Sequence, residues 1–81
     1  MKGIKRTVDL GPARLHVQWA DEKAMRAEAE CEADEEAPDG LWDGEATIYL
    51  HTRLRATPRR ARQILLHELI HACCDLYHEV S

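Results

Sequence analysis

The stretch of this chain best suited to chemistry is His67-Glu68-Leu69-Ile70-His71, an H-E-x-x-H pattern. On a helix, residues four apart stack one above the other, with Cβ atoms about 5–6 Å apart. Two imidazoles at that spacing converge on one zinc ion at about 2.0–2.1 Å. Glu68 is rotated about 100° from His67, so it stands off the ligand line but leans toward a water on the metal. There it would accept a proton as the water attacks a peptide carbonyl, while zinc lowers the pKa of the water and polarises the carbonyl oxygen. His67 and His71 are therefore candidate zinc ligands, and Glu68 is the candidate general base. The plain alternative is two histidines on an ordinary exposed helix face.

A catalytic zinc usually takes a third protein ligand and keeps one position open. His78 is the first candidate, because it falls on the same helical face. It lies seven residues past His71, about 10 Å further along a continuous helix, and reaches the ion only if the helix breaks after Cys74 or Asp75. Glu79 is next, and a ligand from another chain is the remaining source. Cys74 shares the face, but one straight helix cannot wrap three ligands around one ion. His16 and His51 come from expected strands and would approach only through tertiary folding. Asp75, four residues after His71, would either hold the free ring nitrogen of that histidine or stay solvated.

The positioning elements can be read outward from the motif. Thr57 is a good N-cap, and Pro58 fits the first helical position, where its missing N–H is not needed. No Gly or further Pro follows, so a helix is expected from Pro58 to about Leu76. With Ala61 set at zero, Ala72, Leu65, Leu76 and Leu69 fall at about 20° to 80°. Cys73, Leu66, Tyr77 and Ile70 widen the apolar arc to about 180°, and His67 and His71 lie outside it at about 240° and 280°. So wide an arc predicts a sheet on one flank and a second surface on the other.

Alternating apolar residues predict strands at Arg6–Leu10 and Arg14–Trp19, joined by a turn at Gly11-Pro12, and a third strand at Ala46–Thr52. In that third strand Ile48 and Leu50 share one face, and Thr47, Tyr49 and His51 the other. Asp21 to about Cys31 has helix-forming composition. An acidic loop punctuated by Pro38, Asp39 and Gly40 follows it, and a wholly disordered stretch is the competing reading. The expected fold class is α+β: one domain, 1–81, with a small, mostly antiparallel sheet of about three strands packed on a long C-terminal helix that carries the motif.

Composition sets the bounds. A chain of 81 residues with 44% hydrophobic residues makes one small domain. A domain of that size is marginal alone and gains from a staple, which a zinc ion or a homodimer would supply. The net charge is −4, with acidic residues crowded between Asp21 and Glu45 and basic ones in Arg53, Arg55, Arg59, Arg60 and Arg62. These blocks read as two solvated surfaces or as facing partners. The acidic balance, and the lack of aromatics among the arginines, argue against nucleic acid. Three cysteines, two of them adjacent, give no disulfide framework and favour a reducing compartment. With neither a signal-peptide pattern nor a membrane-length apolar run, a soluble cytoplasmic protein is expected.

Gly44-Glu45-Ala46-Thr47-Ile48-Tyr49-Leu50, followed by Arg62-Gln63-Ile64-Leu65-Leu66-His67-Glu68-Leu69-Ile70-His71, resembles the zincin-type metallopeptidases, especially the very small ones carried by phages and prophages. The resemblance covers the second half of the chain. It implies zinc held by His67 and His71, Glu68 as base, and a peptide or protein substrate added as a strand beside Ala46 to Thr52. Two departures stand out. Metzincins carry Gly and then His where this chain has Cys74 and Tyr77, with His78 one place late. Gluzincins take a glutamate from a later helix, whereas this sequence runs only to Ser81. These departures support the rival expectation, a non-catalytic zinc-binding or pseudo-peptidase module, such as a phage regulatory protein.

Overall fold

The computed structural model of the chain describes residues 7–10 and 13–77. Arg6, the turn at Gly11-Pro12, and the ligand candidates His78 and Glu79 lie outside them. The elements run β1 (Thr7–Leu10), β2 (Ala13–Ala20), α1 (Glu22–Glu28), β3 (Gly40–Trp42), β4 (Thr47–His51), a 3-10 turn (Thr52–Ala56) and α2 (Pro58–Tyr77). This is the expected α+β architecture.

The sheet has the order β1-β2-β4-β3. β1 and β3 pair antiparallel with their neighbours, whereas β2 and β4 run parallel, with Val17 opposite Ile48 and Trp19 opposite Leu50. A parallel pair needs a long crossover, and residues 21–46 supply it. The strand added to the expected three is β3. Sequence reading ended the acidic loop at Gly40, but Gly40-Leu41-Trp42 pairs with Leu50-Tyr49-Ile48.

Strand alternation sends apolar side chains to both faces. On one face Leu15, Val17, Ile48 and Leu50 pack with Leu54, Ala61 and Ala72, so α2 covers this side and forms the main core. On the other face Met25 of α1 packs with Ala20 and Ala37, flanked by Leu41 and Tyr49. Met25 is fully buried, which explains how a weakly amphipathic segment holds a helix at all. The α1 segment is capped by Asp21, whose side chain accepts from the Ala24 N–H at 2.9 Å. The helix stops at Glu28, short of the expected Cys31, and Glu30 takes a left-handed φ of 54°.

The acidic loop is held in place. Arg26 donates to the backbone carbonyls of Glu32, at 2.6 Å, and Glu35. Arg53 donates to the Ala37 carbonyl at 2.7 Å and to Asp39 at 2.8 Å, and Arg60 also reaches Asp39. The acidic and basic blocks thus partly face each other. Arg55 instead stacks over Trp19, 5.1 Å from the ring centre. Among the described residues, no helix is long and apolar enough to cross a membrane.

Candidate metal centre

The motif sits in the middle of α2, as its spacing requires. The first helical bond runs from the Ala61 N–H to the Thr57 carbonyl at 3.0 Å, which puts Thr57 at the cap and Pro58 inside. The buried stripe of α2 is narrower than expected. Ala61 and Ala72 are fully buried, with Ile64, Leu65, Leu69 and Leu76 packed partly against the same core. Leu66 and Ile70, placed by sequence in the apolar arc, are instead 60% and 58% exposed. The sheet is too small to wrap an arc that wide.

His67 and His71 are exposed, and their Nε2 atoms lie 3.1 Å apart with rings at 77°. Two nitrogens about 2.05 Å from one ion, at that separation, subtend about 100° at the metal, close to tetrahedral. The separation of the two nitrogens therefore suits a single zinc ion. Without one, a ring N–H of either histidine donates to the other ring. Both use Nε2 toward the shared point, which leaves each Nδ1 outside it.

Glu68 is half-buried on the sheet side of the pair, against β3. A Cβ built on Gly40 would lie 3.1 Å from Glu68 Cγ and 3.3 Å from its Oε2, and would collide with Ile64 Cγ2. Only glycine lets β3 approach α2 this closely, and that approach sets where the carboxylate lies. Further along, Trp42 Nε1 donates to Asp75 Oδ2 at 2.6 Å. Asp75 is exposed, as one of its two expected roles has it, and is also tied to β3.

β3 also corrects where an extended chain could lie. β4 is paired with β2 on one side and β3 on the other, so nothing can be added beside Ala46 to Thr52. The edge next to the motif belongs to β3. Asp43 N–H donates to the Thr47 carbonyl and His51 N–H to the Asp39 carbonyl, so Asp39, Leu41 and Asp43 turn their backbone groups toward β4. Alternation then directs those of Gly40 and Trp42 to the open edge.

The other histidines are elsewhere. His51 is buried on the α1 side, with Nε2 at 2.8 Å from Glu22 and Nδ1 accepting from the Arg53 N–H. His16 is exposed on that same side, beside Thr7, Gln18 and Thr47. Neither approaches the His67–His71 pair. Cys73 is half-exposed and Cys74 exposed, so the core role expected for Cys73 holds only in part. Cys31 Sγ lies 3.7 Å from the Glu36 carbonyl, in the loop after α1. Among the described residues, no group of three His, Cys, Asp or Glu is placed to hold a metal ion. The two candidate ligands His67 and His71 are brought together, and both sequence candidates for the third, His78 and Glu79, are outside the described residues.

Sequence reading missed Gly40 and Trp42. The signal for Gly40 was present, as a glycine between an acidic loop and two apolar residues, but a turn uses glycine as readily as a close backbone approach does. Comparison with known protein families, with curated proteins and with solved structures returned no match.

Proposed function

We propose that the chain is a zinc-dependent peptidase in which His67 and His71 hold the ion and Glu68 is the general base. The observation that carries this reading is the 3.1 Å separation of the two Nε2 atoms. The position of Glu68, between that pair and an open strand edge, supports it. A bound zinc ion would supply a lowered water pKa and a polarised carbonyl. Glu68 would take the proton released on attack and pass it to the leaving amine. The exposed backbone groups of Gly40 and Trp42 would hold an extended peptide as an added strand. The same reading includes a cytoplasmic setting and kinship with the small phage-borne zincins.

The second reading is a non-catalytic zinc module. It is favoured by the absence of a third ligand among the described residues.

One comparison tests both. Zinc content and cleavage of an unstructured protein such as casein are measured for wild type, His67→Ala and Glu68→Gln. The peptidase reading expects Glu68→Gln to keep zinc and lose cleavage by roughly a hundredfold or more. It expects His67→Ala to lose both. Zinc bound by the wild type with no cleavage selects the module. No zinc in the wild type rejects both.

A further inference from the structure

The outward face of α2 combines two features that are usually kept apart. It carries the candidate ligand pair, and immediately before each histidine stands a large hydrophobic side chain that is exposed among the described residues, Leu66 before His67 and Ile70 before His71. At 100° per residue, Leu66, Ile70, His67 and His71 span one continuous sector of about 140°. Nothing among the described residues covers it.

The described residues of this chain fill half of a zinc coordination sphere. Zinc takes four ligands, and this face offers two nitrogens 3.1 Å apart on exposed side chains. A two-fold axis through the ion would turn two donors into four and bring Leu66 and Ile70 of each copy together beside it. A two-fold contact is self-complementary, as a face crossing its own copy must be. The apolar patch is a few side chains wide, well short of the roughly 1,200 Å² buried by a stable protein interface. It cannot hold two copies unaided, so the metal must.

We propose that two copies of this chain close a single zinc site between their α2 helices, each donating His67 and His71, with Leu66 and Ile70 forming the apolar surround. The proposal rests on the metal-ligand reading of the two histidines. It adds a mode of control: the paired form has no open coordination position, so it is a resting form that must separate before Glu68 can act.

The test is sedimentation velocity of the full chain with a phosphine reductant, read together with metal content by atomic absorption. The metal-free chain is expected to be monomeric. Half an equivalent of zinc chloride should give a dimer with one zinc per two chains, and EDTA should reverse it. Ile70→Arg places a cation against its own copy while leaving both ligands in place. It should raise the dissociation constant of the zinc-dependent dimer by roughly tenfold or more and still bind zinc, now at one per chain.

A wild type that binds one zinc per chain and stays monomeric would overturn the pairing and leave the peptidase reading standing. A dimer that survives EDTA or His71→Ala, or one unaffected by Ile70→Arg, would also overturn it. Absence of zinc from the wild type would remove the metal-ligand reading and the pairing together.

Discussion

At the scale of single residues, Gly40 carries the sharpest consequence. Replacing a glycine by alanine can stabilise by restricting the unfolded chain, but here space decides: a methyl group at Gly40 would collide with Ile64 and crowd Glu68. Overpacking of this kind costs about 1–3 kcal/mol. Gly40→Ala should therefore lower the urea midpoint. Because Glu68 is crowded as well as Ile64, it should reduce any zinc-dependent cleavage further than the stability loss explains, with zinc content unchanged. Gly44 makes the useful contrast. A Cβ there would meet nothing within 4 Å, but its φ is +85°. Gly44→Ala should cost about 1 kcal/mol through conformation alone and leave cleavage by the folded protein as it was. Equal behaviour of the two variants in a cleavage assay would show that β3 does not position the carboxylate.

At the scale of elements, a polar contact joins β3 to α2, Trp42 Nε1 to Asp75 Oδ2 at 2.6 Å. Loss of a charge-assisted bond to a half-buried indole costs about 1–2 kcal/mol. Asp75→Ala is expected to destabilise by that amount, and Asp75→Asn, which keeps an acceptor, by less. Chemical denaturation followed by Trp fluorescence measures both, and an unchanged midpoint for Asp75→Ala would show that the Trp42–Asp75 bond does not help to hold β3 against α2.

The same elements show what could be read beforehand. The helix from Thr57-Pro58 onward, the strand faces of Val17 and Ile48, and the His67–His71 pair depend on periodicities of 3.6 and 2, which sequence displays directly. β3 was hidden because three residues give too little alternation to distinguish from a turn. The parallel pairing of β2 with β4 was hidden because pairing is a long-range choice. The buried stripe of α2 was read too wide because hydrophobicity reports what can be covered, whereas coverage depends on how much sheet is available. Leu66 and Ile70 are where those two quantities differ.

At the scale of the whole molecule, the acidic and basic blocks are tied by ion pairs that protonation removes, and these make stability fall in acid. The Glu22 carboxyl is held below the ordinary glutamate range, chiefly by its hydrogen bond with His51 and then by Arg26 and Arg53. For Asp39, partial burial works to raise the carboxyl, but the hydrogen bonds from Arg53 and Arg60 outweigh it and the net shift is downward. Asp43 behaves alike: burial raises it, and the backbone N–H groups of Glu45, Thr47 and Ala46 lower it further. A carboxyl whose folded pKa lies below its unfolded value contributes stability that is complete above the unfolded value, about 4. That contribution is lost as pH falls through the folded one. Glu22 and Asp43 are exposed and Asp39 is only partly buried, so solvent screening keeps each contribution small, and the effect to look for is a slope rather than a collapse. The urea midpoint of the chain, measured with EDTA to remove any metal contribution, should be level from pH 7 to about pH 5 and decline below about pH 4. Asp39→Asn should start lower at pH 7, because it loses the charge that Arg53 and Arg60 share, and should decline less steeply in acid. A variant that follows the wild-type slope would show that the Asp39–Arg53–Arg60 cluster does not join the acidic loop to the base of α2 in solution.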